Sequence, residues 1–87
     1  MNRTITITKT ARKDIKKLSP QIQKRLKSKL EFFIAQKDPL VFAKPLTKPL
    51  DSQYRFRVGN YRILFDIEGH NLVILHVQHR REVYRGK

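Results

Sequence analysis

Tyr54–Phe65, YRFRVGNYRILF, decides the fold. Two alternating runs, Tyr54–Val58 and Tyr61–Phe65, flank Gly59-Asn60, a two-residue pair suited to closing a β-hairpin. A two-residue loop sets Val58 against Tyr61, Arg57 against Arg62 and Phe56 against Ile63. Because side chains alternate with period 2, Tyr54, Phe56, Val58, Tyr61, Ile63 and Phe65 share one face. Arg55, Arg57, Arg62 and Leu64 share the other. The aromatic and branched face is the core face. The arginine face sets like charges directly across from each other, which costs a sheet roughly 0.2–1 kcal/mol. It therefore suits a phosphate-bearing ligand, whose oxygens match planar guanidinium forks. A solvated sheet face would carry the same residues with no ligand.

Outward from the hairpin, the chain has 20 basic and 7 acidic residues, a net charge of +13. That excess exceeds what solubility needs and implies a polyanionic partner: RNA, DNA or an acidic protein. Residues 1–37 hold eight lysines and three arginines, whereas residues 38–87 hold three lysines and six arginines. Lysine suits a flexible long-range field and arginine suits fixed phosphate geometry. The first half reads as steering surface and the second as the site. With no cysteine there is neither a disulfide framework nor a thiolate zinc site. No apolar run approaches the roughly 18–20 residues of a membrane span, so a soluble cytoplasmic protein, without membrane association, is expected. Residues 1–87 read as one small domain.

RTITIT, residues 3–8, alternates as a first strand with Ile5 and Ile7 inward. Thr8 or Thr10 can cap a helix over Ala11–Leu18, with Ala11, Ile15 and Leu18 inward. Ser19-Pro20 starts a second helix to about Gln36, with Ile22, Leu26, Leu30, Phe33 and Ile34 on one stripe. Asp38-Pro39 stops it. Leu40–Leu50, punctuated by Pro45 and Pro49, reads as a connector pinned to the core by Leu40, Val41, Phe42 and Leu46. After the hairpin and the turn Glu68–Asn71, Leu72–Val77 is almost continuously apolar, as in a strand buried on both faces. The expected fold class is α+β, in the order β-α-α-β-β-β, with a helical hairpin packed on an antiparallel-rich sheet.

The ending QHRREVYRGK is too polar for a core. His79 is of the residue type that changes charge near neutral pH. Arg80, Arg81 and Arg85 are permanent cations, and Tyr84 offers an aromatic platform. A turn or short helix would bring Arg80 or Arg81 to the same side as Tyr84.

The order of elements, YRFRVGNYRILF and HRREVYR together resemble the RelE/ParE superfamily of bacterial toxin components, over essentially the whole chain and with LSPQIQKRLKSKL as the second helix. The pairing of GNYRILF with HRREVYR resembles the RelE branch. That resemblance implies a toxin that enters the ribosomal A site and cuts mRNA through the substrate's own 2′-hydroxyl, without metal or other cofactor. It implies an acidic, RelB-like antitoxin as partner, with operator DNA reached through the antitoxin complex. Arg62 matches the family's phosphate-binding arginine, Arg80 the arginine that stabilises the transition state, and Tyr84 a tyrosine that stacks on or orients the nucleotide. Arg55 and Arg57 stand where the well-studied branch has two lysines, one implicated in proton transfer. Arginine gives up its proton too reluctantly for that work. Arg55, Arg57, Arg81 and Arg85 are therefore expected to bind RNA or phosphate. His79 is the candidate acid or base, with packing or stacking as its alternative role. The alternative function is that of a ParE-like DNA gyrase inhibitor with no nuclease activity, and the HRREVYR constellation argues for the nuclease.

Overall fold

The computed structural model describes residues 3–45 and 52–79. Strand β1 (Thr4–Ile7) leads into helix α1 (Lys9–Lys16) and helix α2 (Pro20–Ala35). A 3₁₀ turn (Pro39–Phe42) then enters β2 (Ala43–Pro45), and β3 (Tyr54–Val58), β4 (Tyr61–Glu68) and β5 (Asn71–His79) complete one sheet. The sheet order is β1-β5-β4-β3-β2. Only the β1–β5 pair is parallel; the other three pairs are antiparallel.

Local chemistry sets the helix ends. The Thr8 hydroxyl accepts the Ala11 N–H at 3.2 Å and caps α1, so of the two threonines it is the first that serves. Ser19 accepts the Ile22 N–H at 3.3 Å, and Pro20 opens α2 with a φ already suited to a helix. Ala11, Leu26, Leu30 and Phe33 face the sheet and meet Phe56, Val58, Ile63, Phe65, Leu72, Ile74 and Val77. At the centre, Phe56 stacks between Phe33 (ring centroids 4.1 Å apart) and Phe65 (4.3 Å). The lysines and arginines of both helices lie on their exposed sides.

The hairpin register is the expected one: Val58↔Tyr61, Arg57↔Arg62, Phe56↔Ile63. Gly59 has φ +59°, the left-handed conformation the tight turn requires.

Three expectations need correction. The connector contains a strand: β2 pairs with β3 at the sheet's edge, a position where a proline-ended strand sacrifices no ladder bond. Val41 does not pin that segment, being 74% exposed; buried Pro39 and half-buried Leu40 do, and Phe42, though 43% exposed, packs its ring against core Phe33. Leu46 lies outside the described residues. Finally, β5 is buried on one face only: Leu72, Ile74 and Val77 are inside, while Val73, Leu75 and His76 are half-buried. Both helices pack on the same side of the sheet, which leaves the other face of β5 partly open.

A β-bulge at Leu64/Phe65 offsets β4 against β5, so that Phe65 pairs with Ile74 but Leu64 with His76. One added residue reverses side-chain parity beyond it. Val77 and His79 consequently turn to the helix side.

Past the end of β1, helix α1 covers the open edge of β5. Thr8 N–H donates to the Ile74 carbonyl (3.1 Å), the Thr8 hydroxyl to the Leu75 carbonyl (3.3 Å), and Val77 N–H to Asp14 Oδ2 (3.0 Å). His76 Nδ1 lies 3.6 Å from the same carboxylate oxygen. An unpaired strand edge is a liability that proteins cover, and the side chains of Thr8 and Asp14 do so here. Asp14→Ala is expected to cost about 1–3 kcal/mol, the penalty for stranding a partly buried donor. Urea unfolding would measure the loss, and faster hydrogen exchange at the Val77 amide would locate it. Unchanged exchange there would show that the bond contributes nothing.

Candidate nucleic-acid interface

The face of the sheet away from the helices carries the candidate site. Register places Lys44, Arg55, Leu64 and His76 in one row across β2 to β5, and Arg57, Arg62 and Gln78 in the next. Arg62 and Arg55 are half-buried and Arg57 is exposed. Leu64 is buried in the midst of these cations. Two long guanidinium side chains thus face the same way from adjacent strands, flanked by an amide and a third arginine. The arrangement holds fixed positive charge and planar donors, which is what a phosphodiester demands.

A hollow of about 120 Å³ opens beside this row, lined by Phe42, Lys44, Arg55 and Arg57. Sequence reasoning missed Phe42 and Lys44. Phe42 closes the 3₁₀ turn and Lys44 lies in β2, and the prolines conceal the edge strand that brings the pair beside the arginines.

His79 is not with the arginines. Its register partner is Tyr61, on the helix side, and the two rings meet edge-on at 5.1 Å. Arg62 pairs with Gln78 on the opposite face. Both lie at the same end of the sheet. Tyr61 and His79, with Asp14, Lys17, Leu18 and Val77, line a hollow of about 220 Å³ on the helix side. On its other side Tyr61 borders a second hollow, where Arg25 of α2 lies over Gly59 and Asn60. Arg80, Arg81, Tyr84 and Arg85 lie outside the described residues. Among the described residues no group of three or more His, Asp or Glu side chains could hold a metal ion, and no helix is long and apolar enough to cross a membrane.

The family described as the ParE toxin of type II toxin-antitoxin system, parDE, matches residues 5–84. The chain is a type II toxin of the RelE/ParE superfamily. The toxin is 38% identical to Toxin RelG of Mycobacterium tuberculosis over 86 residues, covering 94% of this chain and 95% of that one. It is 32% identical to Toxin RelE3 of Methanocaldococcus jannaschii over 82 residues, 92% of this chain and 93% of the relative. Its fold matches the toxin-antitoxin complex RelBE2 of M. tuberculosis with a TM-score of 0.71 at 34% identity, covering 92% of the toxin and 100% of the matched chain. The RelB-RelE antitoxin-toxin complex of Methanococcus jannaschii matches with a TM-score of 0.70 at 29% identity, over 93% and 96% of the two chains. The expected α+β architecture, two helices on a mostly antiparallel sheet, is the one these RelE structures share with the toxin.

Proposed function

We propose that the toxin is a ribosome-dependent mRNA endoribonuclease of the RelE kind, held inactive in the cytoplasm by an acidic RelB-like antitoxin. The observation that carries this is the in-register Arg57–Arg62 pair on the open sheet face, with Arg62 half-buried and Arg55 in the adjacent row. The names of the two relatives, RelG and RelE3, lend it support.

In this mechanism the RNA's 2′-oxygen attacks the adjacent phosphorus. The 2′-O–P bond forms, the P–O5′ bond breaks, and the products are a 2′,3′-cyclic phosphate and a 5′-hydroxyl. One proton leaves the attacking oxygen and one reaches the leaving oxygen. Arg62 binds the non-bridging oxygens, whose charge grows in the pentacoordinate state; preorganised donors act most strongly on such developing charge. Arg55, Arg57, Arg81 and Arg85 hold flanking phosphates. Arg80 adds charge at the transition state and Tyr84 orients the nucleotide. Of the two roles open to His79, the edge contact with Tyr61 favours packing at the strand end; we give it no proton-transfer step.

The test is primer extension on mRNA in a reconstituted translation system, with and without ribosomes. New 3′ ends within codons that require both toxin and ribosomes support the proposal; their absence with folded protein overturns it. The second reading, a ParE-like gyrase inhibitor, is favoured by the matched family's description, and gyrase supercoiling assays on the same preparation address it.

The antitoxin follows from charge as well as kinship. A +13 chain bound by an acidic partner is steered and held partly by screened charge. Raising salt from 0.1 to 1 M, which shortens the Debye length from about 10 to about 3 Å, is expected to speed dissociation of the complex at least severalfold. Stopped-flow or surface-binding kinetics would show it, and a salt-independent rate would refute the electrostatic part. The operator DNA is reached through this complex.

A further inference from the structure

We infer that Phe42 is a base-stacking platform for the RNA strand, extending the phosphate-binding face to the open edge of β2. The inference rests on the nuclease reading above.

The described residues leave three large apolar side chains exposed, Phe32, Val41 and Phe42, of which Phe32 and Phe42 touch. Phe42 differs from the other two in lining the hollow beside the arginines. Its ring is braced by Phe33 (centroids 5.5 Å apart, 33° between planes) and by Phe32 (5.5 Å, edge-on). A ring so held is a fixed surface, while 43% of the residue stays open to solvent. It lines the hollow whose remaining walls are Lys44, Arg55 and Arg57. An aromatic face among cations is the arrangement by which unpaired bases are stacked while their phosphates are held. The hollow, at about 120 Å³, suits one planar ring rather than a helix of a partner protein. Arg57 belongs at once to this hollow and to the Arg57–Arg62 pair. One strand could therefore engage both, with a phosphate at Arg62 and a neighbouring base on Phe42 across strands spaced about 4.8 Å apart.

The probe is a fluorescent single-stranded 12-nucleotide RNA bearing 2′-O-methyl groups, which removes the attacking hydroxyl and leaves binding alone. Wild type, Phe42→Leu, Phe42→Trp and Arg57→Ala are titrated at several salt concentrations, with thermal unfolding as a check on folding. Phe42→Leu keeps an apolar side chain but loses the ring. It is expected to bind about 5- to 100-fold more weakly, the range for losing one stacked base. Its salt slope should match wild type, because stacking releases no counterions, whereas Arg57→Ala should lower the slope by about 0.7. Phe42→Trp should bind as well as wild type or better. An abasic site at one position of the probe should weaken wild type and leave Phe42→Leu indifferent, a coupling that loss of packing alone would not produce.

Wild-type binding by a folded Phe42→Leu, or failure of a folded Phe42→Trp to restore affinity, overturns the inference. So does a defect confined to antitoxin binding, which would make Phe42 part of a protein-docking patch. Ribosome-dependent cleavage measured in parallel separates the two levels. Cutting by wild type together with unaltered binding by Phe42→Leu removes the stacking role alone; no cutting and no binding by wild type removes the nuclease reading and this inference with it.

Discussion

Arg62→Ala is expected to lower ribosome-dependent mRNA cleavage by at least 10²- to 10³-fold while leaving the protein folded. Removing one preorganised donor from a developing oxyanion typically costs that much in rate, and a guanidinium supplies two. The side chain is half-buried in register between Arg57 and Gln78, so its charge acts through less solvent than that of exposed Arg57. Arg57→Ala should accordingly weaken RNA binding more than it slows cutting. Arg62→Lys keeps the charge but loses the planar fork, and should recover only part of the rate. Quantitative primer extension gives the rates, and a melting curve gives the folding control. Cuts that persist undiminished in Arg62→Ala would keep the nuclease and move its centre off the hairpin.

The second large effect concerns stability. Phe56 is wholly buried and stacked on both sides, by Phe33 from α2 and Phe65 from β4. Phe56→Ala removes the plate that joins the helical layer to the sheet. Such substitutions cost about 3–5 kcal/mol, against a total stability of about 5–15 kcal/mol for a domain. The melting point should fall by roughly 12–40 °C, since each kcal/mol shifts a domain of this size by about 4–8 °C. Circular dichroism on heating would show it, and a shift under about 5 °C would mean that the core closes over the gap. Because Arg55 and Arg57 flank Phe56, RNA binding should weaken in parallel as the population unfolds.

The hairpin was legible to the residue because its turn is unambiguous: Gly59-Asn60 fixes the loop length, and the loop length fixes the register. Ser19-Pro20 likewise announced its helix start, and the chemistry of both signals is local. What could not be read was non-local. The bulge between Leu64 and Phe65 leaves no mark in the composition of β4 or β5, yet it decides which face His79 joins. Simple alternation from Ile74 would send His79 to the arginine side; the extra residue sends it to Tyr61. Ala43–Pro45 was obscure for another reason. Three residues ending in proline carry no strand signal of their own, and only an edge position beside β3 makes them one. With that strand unseen, Phe42 and Lys44 were read as connector and not as part of the basic face. Within the candidate site, Arg55, Arg57 and Arg62 share the face that the sequence predicts, because that placement depends on the hairpin alone.

The parallel pairing of β1 with β5 joins Thr4–Ile7 to Asn71–Ile74, the two ends of the described chain. Helix α1 rests on that same last strand. During synthesis, the N-terminal strand and its helix therefore have no sheet to lie on until residues 71–79 have cleared the exit tunnel. Contacts this distant in sequence form late and slowly. A nascent chain whose residues 71–79 are still inside the tunnel can form the hairpin but cannot close the sheet around it, so maturation waits for β5. A protein proposed to silence ribosomes would thus withhold its finished sheet from the one that made it until β5 is free to pair with β1.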